Sequence, residues 1–110
     1  LAQVFINLLE NAISFSPPNS KILIKQLRQN DKVIIFVVDQ GKGIKKSLKN
    51  KIFDRFYTDR KVPTHQHTGL GLSISKKIIE NFGGSLELSI AKIDGYKGAC
   101  FKLEMPIKPL

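Results

Sequence analysis

Asn7 and Asn11 stand four residues apart near the start of the chain, within the stretch LAQVFINLLENAISF. On a helix this spacing puts both carboxamides on one face, one turn apart. Carboxamide oxygens from adjacent turns suit a hard cation that keeps several waters and shares its other ligands with phosphates. For this stretch taken alone, a surface helix whose polar stripe only meets water is the alternative.

The polar face of this predicted helix lacks basic residues. It repeats with a 3.6-residue period and consists of Gln3, Asn7, Glu10, Asn11 and Ser14. The chain holds 18 Lys and Arg, yet none lies in the first twenty residues. A solvated face in so basic a protein should have collected some, which favours a functional surface.

A pair of glycines precedes another predicted helix, in the second half of the chain. Gly69 and Gly71 come immediately before Leu72, within TGLGL. The first turn of a helix has unpaired backbone N–H groups and the positive end of the helix dipole, so this segment suits phosphate oxygens.

Asp39 stands where a predicted strand ends, followed by Gly41 and Gly43. The glycines free the backbone to turn sharply and leave open space beside the carboxylate, which can accept a hydrogen bond from an exocyclic amine. A base on Asp39, Mg²⁺ on Asn11 and phosphates at Gly69 to Leu72 would together describe a bound nucleotide.

The elements that must position these residues follow from periodicity and turn signals. Helices are predicted over 1–15 and 45–52, with a third that opens within 68–72 and ends at Gly83-Gly84. Strands are predicted over 21–28, 32–38, 85–92 and 98–105, and Val33 to Val38 is apolar on both sides, as in a central strand. A long loop is predicted over residues 58–68. This order predicts an α/β (α+β) two-layer sandwich, with helices on one face of a mixed, mostly antiparallel sheet.

Composition bounds the class of protein. The 110 residues, 42% hydrophobic and 25% charged, suit one globular domain spanning 1–110. The net charge of +9 comes mostly from scattered lysines without an Arg cluster or interleaved aromatics, so nucleic acid is not the expected partner. The chain lacks an initiator Met and begins inside an apparent helix, so we expect it to be a fragment of a longer protein.

Four motifs in register carry a resemblance to a known family. They are NLLENA at Asn7 to Ala12, DQGKG at Asp39 to Gly43, FDRFY at Phe53 to Tyr57 and TGLGL at Thr68 to Leu72. In order and spacing they resemble the N, G1, F and G2 boxes of the catalytic, ATP-binding domain of bacterial sensor histidine kinases. The resemblance implies the Bergerat-type ATP-binding fold, with ATP and Mg²⁺ as cofactors and a mobile ATP lid over residues 58–67.

The resemblance also implies roles for single residues. Asn11 would be the principal Mg²⁺ ligand with Asn7 assisting, and these two carboxamides would be the catalytic residues. Asp39 would accept a hydrogen bond from the adenine amino group. The remaining ATP contacts would comprise glycines near the base, an apolar slot, flanking aromatic residues and a phosphate-binding run: Gly41, Gly43, Ile44, Ile52, Phe15, Tyr57, Thr68, Gly69, Leu70, Gly71 and Leu72.

Asn7 bears on the reaction. In hydrolytic members of the superfamily this position is typically Glu, which activates water as a general base, whereas a carboxamide cannot accept a proton. Asn7 therefore favours phosphoryl transfer to an external acceptor. Ser14 and Thr58 stand where many of these kinases carry a basic residue, and Arg60 or Lys61 is a candidate replacement. A regulatory pseudokinase and a hydrolytic ATPase remain the alternatives.

The resemblance further implies partners and a location. The phosphorylated histidine would lie on an upstream helical hairpin, and a response regulator would receive the phosphoryl group on an aspartate. The parent protein would be a homodimer anchored in the bacterial inner membrane, with this domain in the cytoplasm. Phe53 and Phe56 would dock the lid region on the hairpin or pack in the core.

Overall fold

The computed structural model describes residues 2–41, 43–44, 46–54, 71–89, 95–96 and 98–107, without the side chain of Phe15. The first element, helix α1, spans Ala2–Phe15. It buries Val4, Leu8 and Ala12, spaced four apart, to 0%, 0% and 1% exposure. The helix ends before Pro17-Pro18, where the Ser16 hydroxyl donates to the Ala12 carbonyl at 2.7 Å.

Two antiparallel strands follow. Strand β1 spans Leu23–Gln29 and strand β2 spans Lys32–Val38, joined by a two-residue turn in which Asn30 has a φ of 52°. The predicted hairpin is confirmed, with β1 beginning two residues later than expected. The helix predicted over 45–52 is instead two 3₁₀ turns, Lys46–Leu48 and Lys51–Phe53.

The second half of the chain supplies helix α2 over Gly71–Asn81, strand β3 over Ser85–Ser89 and strand β4 over Cys100–Pro106. Gly83 has a φ of 84°, and the Gly84 N–H donates to the Ile79 carbonyl at 2.9 Å, as expected of a glycine C-cap. Strand β3 is described as far as Ser89, and the rest of its predicted span, residues 90–92, lies outside the described residues.

The described strands form one sheet in the order β1-β2-β4-β3, and every described ladder is antiparallel. Strand β2 is central, as its apolar character predicted. Helix α1 packs on α2 and β2, while α2 packs on β3 and the second 3₁₀ turn. The α+β two-layer sandwich is therefore confirmed, and no parallel pair occurs among the described strands.

The core lies between the helices and one face of the sheet. Val37, Leu86, Phe101 and Leu103 supply its sheet side, each no more than 1% exposed. The opposite face carries cross-strand ion pairs, among them Lys32 with Glu104 at 3.5 Å. No helix among the described residues is both long and apolar enough to cross a bilayer.

Candidate functional site

Asn7 joins the two long helices at the boundary between core and solvent. Its Nδ2 donates to the Ser75 Oγ at 3.1 Å and to the Gly71 carbonyl at 3.4 Å. Its Oδ1 accepts from the Gln3 Nε2 at 2.9 Å. One candidate metal ligand is thus placed beside the first residue of α2, where the sequence predicted a phosphate site.

Asn11 lies one turn further along α1 and is half-buried. Its Nδ2 atom is buried and has no hydrogen-bond partner in the described part of the structure. A buried polar atom left unpaired costs free energy, so this position fits a polar ligand. The oxygen and nitrogen of a carboxamide exchange places by rotation, so Asn11 can present either atom.

Asp39 follows the last residue of β2 and is 1% exposed. Its Oδ1 accepts from the Gly41 N–H at 2.9 Å and from the Ala99 N–H at 3.0 Å. Its Oδ2 is buried and has no partner among the described residues. Burial raises the pKa of this carboxyl above its usual 3.8, and the two backbone hydrogen bonds partly offset that rise.

Gly98 is a site residue that the sequence did not single out. Its N–H donates to the Asp39 carbonyl at 3.1 Å, and the Asp39 N–H donates to the Ala99 carbonyl at 3.1 Å. A Cβ at Gly98 would overlap the Asp39 Oδ1 and backbone carbonyl. The residues that lead into β4 therefore pack tightly against Asp39 and determine which of its oxygens stays unpaired among the described residues.

The expected apolar slot lies partly within the core. Ile52 is 5% exposed and belongs to the core cluster, while Ile44 and Leu72 are half-buried and pack against it. Gly43 has a φ of 80°, a conformation that favours glycine, and Gly41 turns the chain back toward Asp39 through its N–H.

Several candidate residues lie outside the described residues. They are Tyr57, Thr68, Gly69 and Leu70, together with Phe56, Thr58, Arg60 and Lys61 and the whole lid segment 58–67. The backbone of Phe15 ends α1, but its side chain is also outside the described part. Their predicted roles stay predictions.

Two residues of α2 contribute contacts that periodicity did not reveal. Ser75 is 0% exposed and bonds Asn7. The Lys76 Nζ donates to the Leu86 carbonyl at 2.8 Å and lies 4.8 Å from the Phe53 ring centroid. The Phe53 ring also meets the Phe101 ring edge-on at 6.2 Å, so of its two predicted roles the structure favours packing.

Comparison with known proteins places this arrangement in a family. A family model for "Histidine kinase-, DNA gyrase B-, and HSP90-like ATPase" matches residues 1–109. Sensor protein ChvG of Rhizobium meliloti (strain 1021) is 43% identical over 114 residues, which cover 99% of this chain and 20% of ChvG. The nucleotide-free catalytic domain of histidine kinase ThkA is 39% identical with a TM-score of 0.79, covering 97% of this chain and 67% of that chain.

A further solved structure contains histidine kinase ThkA in complex with response regulator protein TrrA. Its kinase is 36% identical with a TM-score of 0.75, and the match covers 96% of this chain and 28% of that chain. This chain spans 12% to 22% of the length of the curated sensor proteins it matches. The family model matches nearly all residues of this chain, and a kinase catalytic domain matches it in sequence and fold. The chain therefore belongs to the histidine kinase-, DNA gyrase B- and HSP90-like ATPase family, as an ATP-binding catalytic domain of the sensor histidine kinase type.

Proposed function

We propose that this chain holds Mg·ATP and presents the γ-phosphate to a histidine on a helical hairpin elsewhere in the parent protein, for relay to a response-regulator aspartate. The observation that carries the proposal is the Asp39 Oδ2, a buried acceptor without a partner among the described residues.

The base-binding end is built around Asp39. The backbone N–H groups of Gly41 and Ala99 occupy one carboxylate oxygen and leave the other unpaired. A buried carboxylate oxygen is a strong acceptor that needs a donor, and the exocyclic amine of adenine is such a donor. Ile44 and Ile52 supply apolar surface for the face of the base.

The phosphate-binding end is built around α1 and the start of α2. Asn11, with its unpaired buried amide, and Asn7, in contact with Gly71, are the residues proposed to hold Mg²⁺ and its phosphates. When bound, the ion would neutralise phosphate charge. The proposed phosphate contacts continue through Thr68, Gly69, Leu70, Gly71 and Leu72, with Phe15 and Tyr57 flanking the nucleotide.

The nature of Asn7 favours transfer over hydrolysis. Its Nδ2 already donates to α2, and neither amide atom can take a proton from water near neutral pH. The site therefore lacks a general base at this position. It can position ATP and stabilise charge, and the acceptor histidine supplies the nucleophile.

The proposed partners extend beyond this chain. The solved ThkA–TrrA complex supports a response regulator as the recipient of the phosphoryl group. The sensor-protein relatives support a parent that carries its own phosphoacceptor hairpin. We include in the proposal a homodimeric parent anchored in the inner membrane, with this domain on the cytoplasmic side.

Retention of label from γ-labelled ATP tests the proposed reaction. The full-length wild-type protein should retain label that is lost in acid and stable in base, as phosphohistidine is. Asn11→Ala should abolish the label because it removes the proposed magnesium ligand. Asn81→Ala, an exposed asparagine at the end of α2, is the matched control and should label like wild type.

The two alternatives give different results in the same experiment. A protein that binds ATP and never acquires label would be a regulatory nucleotide-binding module. Steady release of phosphate by the chain alone, lost in Asn7→Ala, would instead identify a hydrolytic ATPase. The first result would refute transfer to histidine, and the second would favour hydrolysis over transfer.

A further inference from the structure

The serine at position 75 is the one polar side chain of α2 that is fully buried among the described residues, with 0% exposure. Its hydroxyl accepts from the Asn7 Nδ2 at 3.1 Å across the contact between the two helices. No motif of the sequence includes Ser75, and none of the proposed ATP contacts uses it. Its one described role is to bind Asn7.

The Gly71 carbonyl determines how the Asn7 carboxamide is oriented. A serine hydroxyl can donate or accept, so Ser75 alone would allow either end of the amide to face α2. The Gly71 carbonyl only accepts, and it lies 3.4 Å from the same Asn7 nitrogen. The nitrogen must therefore point into α2, and the oxygen must point away from it.

The Asn7 oxygen is on the accessible side of the contact. It accepts from the Gln3 Nε2 at 2.9 Å, an exposed bond between side chains one helical turn apart. Such exposed pairs contribute little and exchange readily with solvent. A cation can displace Gln3 from this oxygen, whereas the part-buried bond to Ser75 stays in place.

We propose that Ser75 is a positioning residue that holds the Asn7 carboxamide with its oxygen toward the magnesium side of the site. This inference rests on the proposed function, because it assigns Ser75 a role through a proposed magnesium ligand. Without the hydroxyl, the Asn7 nitrogen keeps only the long bond to the Gly71 carbonyl. The amide orientation is then held more weakly, so the side chain more often presents its nitrogen, which cannot coordinate a cation.

The test compares ATP affinity with and without magnesium in the full-length protein. Titration calorimetry with ATP in excess Mg²⁺ and again in EDTA gives the gain in affinity that magnesium confers. Ser75→Ala should reduce this gain about threefold to tenfold, the effect of losing one hydrogen bond. Affinity for metal-free ATP should stay at the wild-type value. Ser85→Ala, an exposed serine on β3, is the matched control.

A double-mutant cycle connects the effect to Asn7. Asn7→Ala should reduce the gain at least as much as Ser75→Ala, and the double variant should behave like Asn7→Ala alone. Ser75→Cys replaces the hydroxyl with a larger and weaker acceptor, so the magnesium gain should fall between wild type and Ser75→Ala. Because the sulfur leaves no cavity, a reduced gain in this variant points to the weaker acceptor and not to an unfilled space.

The outcomes distinguish the two proposals. If wild type does not bind Mg·ATP, the proposed function fails and this inference fails with it. If Asn7→Ala reduces the magnesium gain but Ser75→Ala matches Ser85→Ala, only the inference is overturned. Additive effects in the double variant would likewise overturn it, because Ser75 would then act independently of Asn7.

Discussion

Replacing Asp39 with asparagine changes one buried atom of the proposed base-binding end from an acceptor to a donor. The backbone N–H groups of Gly41 and Ala99 both donate to Oδ1, at 2.9 and 3.0 Å. In Asp39→Asn the amide oxygen must face these donors, so its NH₂ group takes the place of Oδ2. The site keeps its shape, but the hydrogen-bond acceptor at the Oδ2 position is replaced by a donor.

The expected loss of ATP affinity follows from that single hydrogen bond. A hydrogen bond to a charged group contributes about 1.5–3 kcal/mol. Its loss corresponds to about 10-fold to 150-fold weaker binding, since 1.4 kcal/mol is a factor of ten. The fold should survive, because Oδ1 keeps its partners and a carboxylate whose pKa is raised by burial is removed. We expect the free energy of unfolding to change by no more than about 1 kcal/mol.

Calorimetry with Mg·ATP and Mg·GTP on the full-length protein checks this reasoning. Guanine has a carbonyl oxygen where adenine has its amine, so the wild-type carboxylate should disfavour GTP. The donor introduced by Asp39→Asn should narrow or reverse the preference for ATP. Equal loss of both nucleotides, or unchanged ATP affinity in a folded variant, would refute the assignment of the Asp39 Oδ2 as the base acceptor.

Further predictions concern the protonation of Asp39, the close packing at Gly98 and the contacts of Lys76. ATP affinity should fall on acidification, because the Asp39 carboxylate takes up a proton and its Oδ2 is no longer a free acceptor. The midpoint should lie above pH 3.8, since burial raises the pKa of Asp39, and ATP titrations at stepped pH would measure it. Over the same range, this carboxyl should make folding more favourable at low pH and less favourable as pH rises through its folded pKa. Gly98→Ala should lower the free energy of unfolding by about 1–3 kcal/mol in urea, because a Cβ there overlaps Asp39; an unchanged midpoint would mean that the loop relaxes. Lys76→Met should cost about 1–2 kcal/mol in the same assay by removing the Nζ contacts to β3 and to Phe53, whereas the exposed Lys77→Met should cost nothing measurable.

The sheet was largely predictable because strand periodicity records which faces are buried. Val33 to Val38 is apolar on both sides, and it forms the central strand β2. The Asn30-Asp31 turn fixed the β1–β2 register locally. The position of β4 between β2 and β3 is a non-local pairing, which the strand patterns did not specify. The two 3₁₀ turns replaced a predicted helix because apolar spacing over so short a segment does not determine the hydrogen-bond pattern.

The residue types and their positions made Asp39 a candidate acceptor at the end of a strand. The structure adds that its carboxylate is buried and that one of its oxygens has no partner among the described residues. Gly98 was not predictable, because its close approach to Asp39 joins positions 59 residues apart and depends on the β2–β4 pairing. A glycine near the end of a loop gives no local sign that a second backbone will pass beside it.

The buried stripe of α2 shows why hydropathy alone missed Ser75. Hydropathy favours burial of Ile74 and Phe82, yet they are 46% and 54% exposed. Two of the residues that face α1 at the site are small, namely Gly71 and Ser75, which lie one turn apart. Ile79 lies one turn beyond Ser75 and is fully buried. A Cβ on Gly71 would lie 3.8 Å from the Asn7 Cγ, an ordinary van der Waals contact, so the Asn7 side chain packs directly beside this position. Small residues at helical spacing therefore mark the contact between Asn7 and α2. A hydrophobicity pattern misses this contact, because it scores a serine as polar and predicts that this face of the helix is exposed to solvent.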